Sequence, residues 1–262
     1  MQGLEWTFDT VVEDYEKFRP GYAIDLYDTI FDYVNIDKDS SVLEIGSGAG
    51  QATAPILNKG CHLTAVEYGS LFCKLLSKKF AKFDKFTVLN GKFEDIYLEE
   101  NSFDLVFSAT AFHWIPEKEG YEKVFKLLKK GGVFARFANH PYRDKTNVLL
   151  ANEIDEIYEE YYNKYHQKKR AKLVEFNVNQ AATLANIASK YGFTDVEYHI
   201  YKRTRTFTAE EYIRLLGTYS DHIAIEEKTR TEFFNKIKNA IINHGGTITI
   251  YDTMDLELAR KE

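Results

Sequence analysis

Two cysteines in 262 residues are too few for a disulfide framework, and Cys61 and Cys73 therefore point to a reducing compartment. No run of about 18 apolar residues occurs, so no membrane-spanning helix is expected. The stretch from Met1 to Phe8 lacks a basic segment followed by an apolar one, which argues against a secretory signal. Positive charge is also scarce. Lys plus Arg number 34 against 40 Asp plus Glu, a formal −6, leaving no strongly basic field to hold a nucleic-acid backbone. His140, His166, His199, His222 and His244 show no metal-ligand spacing, so no metal is expected. A G-x-S-x-G elbow and a P-loop are both missing, as are internal repeats and low-complexity tracts. What remains is expected to be cytoplasmic, a monomer or homodimer, and to act without nucleic acid or membrane. Aromatic residues are plentiful, at 18 Tyr and 19 Phe; most are expected in the core and some in a pocket.

The chain is long enough to bury a substantial core as one domain spanning 1–262. Residues 8–35 read as one or two amphipathic helices broken at Arg19-Pro20-Gly21, forming a cap over 1–40. From 41 to 141, strands and helices alternate. Strands are predicted at Ser41–Ile45, His62–Val66, Phe86–Leu89, Phe103–Ser108 and Val133–Ala138. Helices are predicted after the first strand to about Lys59, over Leu71–Phe83, and over Tyr121–Lys129 with a stop at Lys130-Gly131-Gly132. This alternation marks an α/β fold, an open parallel sheet with helices on both faces. Such sheets bind ligands beyond the carboxyl ends of their strands.

The pattern changes over 142–262. Helical insertions are predicted at about 147–172 and 209–243, with a further helix at Thr183–Tyr191 and an extended segment at Val196–Phe207. Ile248, Ile250, Met254, Leu256 and Leu258 share one parity, with Asp252 as the exception, the signature of a half-buried strand. The run Lys168-Lys169-Arg170 reads as a solvated helix end.

Function concentrates at Val42–Gln51, where an apolar strand breaks into Gly46, Gly48 and Gly50 before a helix. Strand, glycine turn, helix is an order that sets backbone N–H groups and a positive helix end beside a polar ligand. Glycine permits the positive φ of such a turn and close approach of the ligand. A dinucleotide fingerprint needs its third glycine one residue later, and that position is Gln51, which moves weight away from NAD. Glu67 follows Gly46 by 21 residues, ends the second strand, and is placed to accept hydrogen bonds from both hydroxyls of a ribose. Glu44, inside the apolar strand, needs hydrogen-bond partners. The N–H groups of the loop could supply them, so Glu44 is expected to shape the turn, with contact to a cofactor amino group as its second reading.

These segments, together with Phe93-Glu94-Asp95, Phe103-Asp104-Leu105-Val106 and Ala111-Phe112-His113-Trp114, resemble the class I S-adenosylmethionine-dependent methyltransferases. The nearest resemblance is to the type 11 methyltransferase-domain proteins and their trans-aconitate methyltransferase-like subgroup. Phe8, Tyr15, Arg19-Pro20 and Tyr22 resemble the N-terminal lid of that family. Thr218-Tyr219-Ser220, the Gly245-Gly246 turn and the closing strand resemble its C-terminal half. The resemblance implies a Rossmann-like, doubly wound, seven-stranded, mostly parallel sheet with an antiparallel last strand, and helices forming a lid.

It further implies S-adenosylmethionine as the cofactor and a small-molecule methyl acceptor. Gly46, Ser47, Gly48 and Gly50 would pass the methionine moiety and Glu67 would hold the ribose. Phe93 and Glu94 would meet the adenine, with Tyr68 over its face. Lys92 stands where the family often has an acid or small polar residue. Ala109 and Thr110 would lie against the methionine portion, while Tyr15 and Arg19 would close over the cofactor, Arg19 toward its carboxylate. His113 could act as a general base for an acceptor that must lose a proton, or could only shape its loop together with Trp114. Trp114 could instead present an aromatic face to the sulfonium. Competing readings are a non-catalytic S-adenosylmethionine-binding module, an NAD-dependent oxidoreductase, and a nucleic-acid methyltransferase; the last lacks an Asn/Asp-Pro-Pro-Tyr type motif.

Overall fold

The computed structural model describes residues 11–143, 147–170 and 174–262. Phe8 lies outside them. Seven strands form one sheet in the order β3-β2-β1-β4-β5-β7-β6. They are β1 (Ser41–Ile45), β2 (His62–Glu67), β3 (Phe86–Asn90), β4 (Phe103–Ala109), β5 (Leu128–Arg143), β6 (Thr194–Thr208) and β7 (Thr247–Arg260). β1 pairs in parallel with β2 and β4, β2 with β3, and β4 with β5. The sheet is thus mostly parallel, with an antiparallel last strand. Strand order reverses between β1 and β4, which makes their carboxyl ends the switch point where such sheets bind ligands.

The chain divides into two compact units, each built from three stretches. One, the sheet unit, comprises Pro20–Asn139, Phe176–Tyr201 and Thr253–Glu262. The other, the helical unit, comprises the chain up to Arg19, His140–Glu175 and Lys202–Asp252.

In the sheet unit the central strands are apolar on both faces, as parallel strands must be when helices cover both sides. Alternate residues feed two clusters. Val42, Leu105 and Phe107 join Leu26, Ile30, Ile56 and Phe137 on one face. Leu43, Ile45 and Val106 join Phe112, Tyr121, Phe134 and Phe193 on the other. The covering helices include α2 (Ile24–Tyr33), α3 (Thr53–Leu57), α4 (Ser70–Lys79) and α5 (Glu117–Leu127). Asp104 ties β4 to its neighbours, since its Oδ2 accepts from the Ser41 N–H and from Lys129 Nζ, both at 2.8 Å.

The structure corrects three local expectations here. Helix α5 ends at Leu127, not at Lys129. Lys130-Gly131-Gly132 does not stop it but lies inside β5, where pairing with β4 slips between Phe103 and Leu105. Gly131 has φ +81°, and a Cβ on Gly132 would come within 2.9 Å of the carbonyls of Lys129 and Phe103. The glycines therefore make a bulge. The closing strand is also buried on both faces over 252–259 rather than half-buried. β7 lies between β5 and β6, and two of its buried carboxylates have partners on β5: Glu257 with Arg136, Asp255 with the Ala138 N–H at 2.8 Å. The parity-breaking Asp252 takes Arg203 and Arg205 at 3.0 and 2.5 Å within the helical unit.

The helical unit contains α1 (Val12–Phe18), α6 (Val148–Ile157), α7 (Lys164–His166), α9 (Ala209–Leu216), α10 (Ser220–Ile223) and α11 (Glu227–Asn243); α8 (Val178–Ala185) belongs to the sheet unit. The long helix expected from Asn147 changes winding to a π-helical stretch over Tyr158–Asn163. Its core joins Leu150, Ile154 and Tyr158 to Tyr212, Leu216, Phe233, Ile237 and Ile250. Arg170 is not a solvated helix end. Its guanidinium lies 4.5 Å from the Tyr158 ring and 5.4 Å from that of Tyr162.

Candidate cofactor site

The carboxyl ends of β1, β2 and β4 carry most of the residues singled out above. After β1 the backbone turns through Gly46, Gly48 and Gly50 at φ +72°, +53° and +79°, a region that side chains rarely enter. Gly46 has a second constraint, because a Cβ there would stand 2.4 Å from the Ala111 Cβ. Ser47 is buried. Lys79, at the end of α4, donates from Nζ to the Ala49 carbonyl at 2.8 Å and so fastens the turn from outside.

Glu67 binds this turn to the end of β2. Its Oε2 accepts the Gly48 N–H at 2.7 Å and its Oε1 accepts the Gly69 N–H at 2.8 Å. These bonds fix the orientation of the carboxylate at the end of β2. The end of β3 contributes to the same corner, with Asn90 Nδ2 donating to the carbonyls of Glu67 and Tyr68 at 3.0 and 2.8 Å. Tyr68 is 47% exposed.

Glu44 is fully buried, and its partner is the Thr53 hydroxyl at 2.6 Å. A side chain on α3 thus does what the loop N–H groups were expected to do. Burial pushes the Glu44 carboxyl up to about 7; the Thr53 hydrogen bond opposes this and the charge of Glu67 adds to it.

On the far side of the corner, Phe93 is buried and its loop is held by one lysine. Lys123 of α5 donates to the carbonyls of Phe93, Glu94 and Ile96 at 2.5, 3.1 and 2.6 Å. After β4, Ala109 is partly exposed and Thr110 adopts φ +55°. A β-branched residue in that region is strained by roughly 1–3 kcal/mol and marks functional loops. Neighbours hold it there: Thr110 Oγ1 lies 2.6 Å from the Tyr22 hydroxyl and accepts the Asn139 N–H at 3.2 Å. His113 is exposed on a single 3-10 turn, Phe112–Trp114. Phe112 anchors that turn against Tyr121 and Phe134, and the His113 and Trp114 rings are 5.1 Å apart.

Tyr15 and Arg19 belong to the helical unit. There Arg19 donates from Nε and Nη2 to the hydroxyl and carbonyl of Thr218 at 2.9 and 2.8 Å, and lies 4.2 and 5.0 Å from the rings of Tyr219 and Tyr15. Lys123, Asn90, Lys79 and Thr53 were not singled out from the sequence. Lysines on helices and an asparagine at a strand end are ordinary there, and only their distant partners distinguish them.

A glycine turn crowded against its neighbours, an oriented carboxylate at the end of the next strand and a loop with a buried phenylalanine beyond it suit an adenosyl ligand bearing an amino-acid tail. Similarity to known proteins runs the same way. The methyltransferase-domain family matches residues 43–136. A methyltransferase-like protein of Schizosaccharomyces pombe is 31% identical over 215 residues, 82% of this chain and 77% of that one. A methyltransferase of the same yeast is 26% identical over 232 residues, 86% of this chain and 83% of the relative. Among solved structures, one from Anaeromyxobacter dehalogenans described as a type II methyltransferase has a TM-score of 0.62 at 18% identity, covering 93% of this chain and 98% of that one. A phosphoethanolamine N-methyltransferase of Haemonchus contortus, solved with S-adenosylhomocysteine, has a TM-score of 0.56 at 17% identity and covers 97% of this chain, which spans 57% of its length.

Proposed function

From a chain that belongs to the class I S-adenosylmethionine-dependent methyltransferases and uses S-adenosylmethionine as its cofactor, we propose that the methyl group passes to a small-molecule acceptor. The observation that carries the reading is Glu67, whose carboxylate is pinned between two backbone N–H groups at the end of β2. It would hold the ribose, while Gly46, Ser47, Gly48 and Gly50 would border the methionine moiety, with Ala109 and Thr110 against it. Phe93 and Glu94 would meet the adenine, and Tyr68 and Trp114 would supply aromatic faces. Bound there, the sulfonium supplies an electrophilic methyl group. The work left to the protein is alignment and exclusion of water, which can contribute roughly 7–11 kcal/mol.

His113 is assigned to accepting a proton from acceptors that must lose one. The net charge of −6 favours small acceptors over nucleic acid. The test supplies methyl-labelled cofactor and enzyme to a cell extract, then separates small molecules from protein and nucleic acid. Label in the small-molecule fraction is expected, with His113→Gln lowering its rate; label confined to macromolecules would overturn the reading.

A further inference from the structure

The helical unit contains a partly open cavity of about 280 Å³ whose wall includes Arg143, Asn147, Ile154, His244, Thr247 and Thr249. That volume is far more than one water requires and lies near the lower end of small-molecule sites, about 300–1,000 Å³. One wall is the first turn of α6, capped by Asn147, whose side chain accepts the Leu150 N–H at 3.1 Å. Another is the start of β7 after the Gly245-Gly246 turn.

Arg143 is the unusual member. It is 5% exposed and donates from Nη2 to Asp155, yet Nε and Nη1 are buried with no hydrogen-bond partner among the described residues. Guanidinium is always charged and carries five N–H donors, three of them on these two nitrogens. Buried donors are nearly always satisfied, and unsatisfied ones call for an explanation. Here they belong to a residue in the wall of a cavity, and a turn of the side chain would bring them to an acceptor held there.

We propose that this cavity binds the oxyanion group of a small carboxylate or phosphate compound, with Arg143 as its principal contact. The chemistry follows from the fork of the guanidinium, which matches planar and tetrahedral oxyanions with charge-assisted bonds. The first turn of α6 adds a positive helix end, and Thr247 and Thr249 add hydroxyl donors. Asp155 is engaged with Arg143 itself, and Glu153 is 2.8 Å from His244 Nε2. Arg170, 4.5 Å from the Tyr158 ring that Arg143 also flanks at 5.4 Å, adds a second positive group to the same neighbourhood. The site is defined within the helical unit alone and does not depend on the cofactor reading.

Titration calorimetry with succinate, and separately with inorganic phosphate, in a buffer free of other oxyanions tests the proposal on the full chain. One of the two is expected to bind at a single site and to shift the Arg143 Nε–H resonance in a nitrogen-15 spectrum; which one binds tells carboxylate from phosphate. Arg143→Gln is expected to weaken binding roughly tenfold or more, the loss of a charge-assisted pair. Because a buried arginine variant can fail to fold, Thr249→Leu serves beside it, filling the cavity from a partly exposed position and weakening binding comparably. Circular dichroism melts confirm folding, and S-adenosylhomocysteine titration of the same samples reports on the cofactor site separately. Absence of binding by either anion to folded wild-type protein, an unmoved Arg143 resonance, or binding that survives in folded Thr249→Leu would each overturn it.

Discussion

Glu44 on β1 and Gly46 just beyond its end respond to change for unrelated reasons. At Gly46, any Cβ meets Ala111 at 2.4 Å on a backbone with φ +72°. Gly46→Ala is therefore expected to cost about 2–4 kcal/mol from strain and overpacking combined, read as a lower urea midpoint, and to abolish S-adenosylhomocysteine binding. Glu44 responds to pH. Its folded pKa of about 7 stands above its ordinary 4.5, so the folded state holds the proton more tightly than the unfolded one. Its contribution is present below pH 4.5 and is lost as pH rises to 7, a loss of about 3 kcal/mol at most. Glu44→Gln removes this dependence, so its stability relative to wild type should rise between pH 5 and pH 8. An unchanged difference in urea unfolding across that range would show that Glu44 does not titrate as described. Legibility at this scale follows sequence distance. The place of Glu67 at a strand end could be read from local pattern; the Thr53 partner of Glu44 could not, because it depends on which face of α3 turns inward.

Loops and strand ends depend on single clamps. Lys123 gathers three carbonyls from Phe93 to Ile96, and its burial lowers its pKa while the charges of Glu94 and Asp95 oppose this. Lys123→Met should keep the packing of the stem while releasing those carbonyls. Faster amide exchange confined to residues 93–98 is expected, together with weaker cofactor binding; unaltered exchange there would show that the loop is held by other means. The existence and type of most elements between 41 and 141 were readable because short continuous apolar runs alternate with helical segments. Their ends were less so. Lys130-Gly131-Gly132 has the composition of a helix stop, yet it forms a bulge, since the same positive φ serves both and the choice is made by pairing with Phe103. The two-sided burial of β7 was hidden for a similar reason. Its polar residues alternate as solvent-facing ones do, and only the arginines on neighbouring strands reveal that they are inside.

At the scale of the whole chain, cofactor binding and folding are linked. A ligand that binds only the folded state stabilises it by about 2.7 kcal/mol when present at a hundred times its Kd. S-adenosylhomocysteine at such excess should raise the melting temperature by several degrees, and NAD under the same conditions should not; a reversed order would contradict the cofactor assignment. The fold class was legible because strand–helix alternation limits the topologies available. The position of β7 between β5 and β6 was not, since nothing local to a strand says which neighbours it will join.

The division of the chain has a consequence for inheritance and for engineering. It passes from one compact unit to the other at residues 19/20, 139/140, 175/176, 201/202 and 252/253, five crossings in all, so neither unit is a contiguous gene segment. No single recombination breakpoint can deliver a helical unit to a new sheet unit. Swapping that unit between homologues would require three fragments to be exchanged together, along with the strands β5, β6 and β7 that run through the junctions. Diversification of a chain laid out this way is expected to proceed by point substitution and loop insertion rather than by shuffling, and directed evolution libraries should be drawn up accordingly.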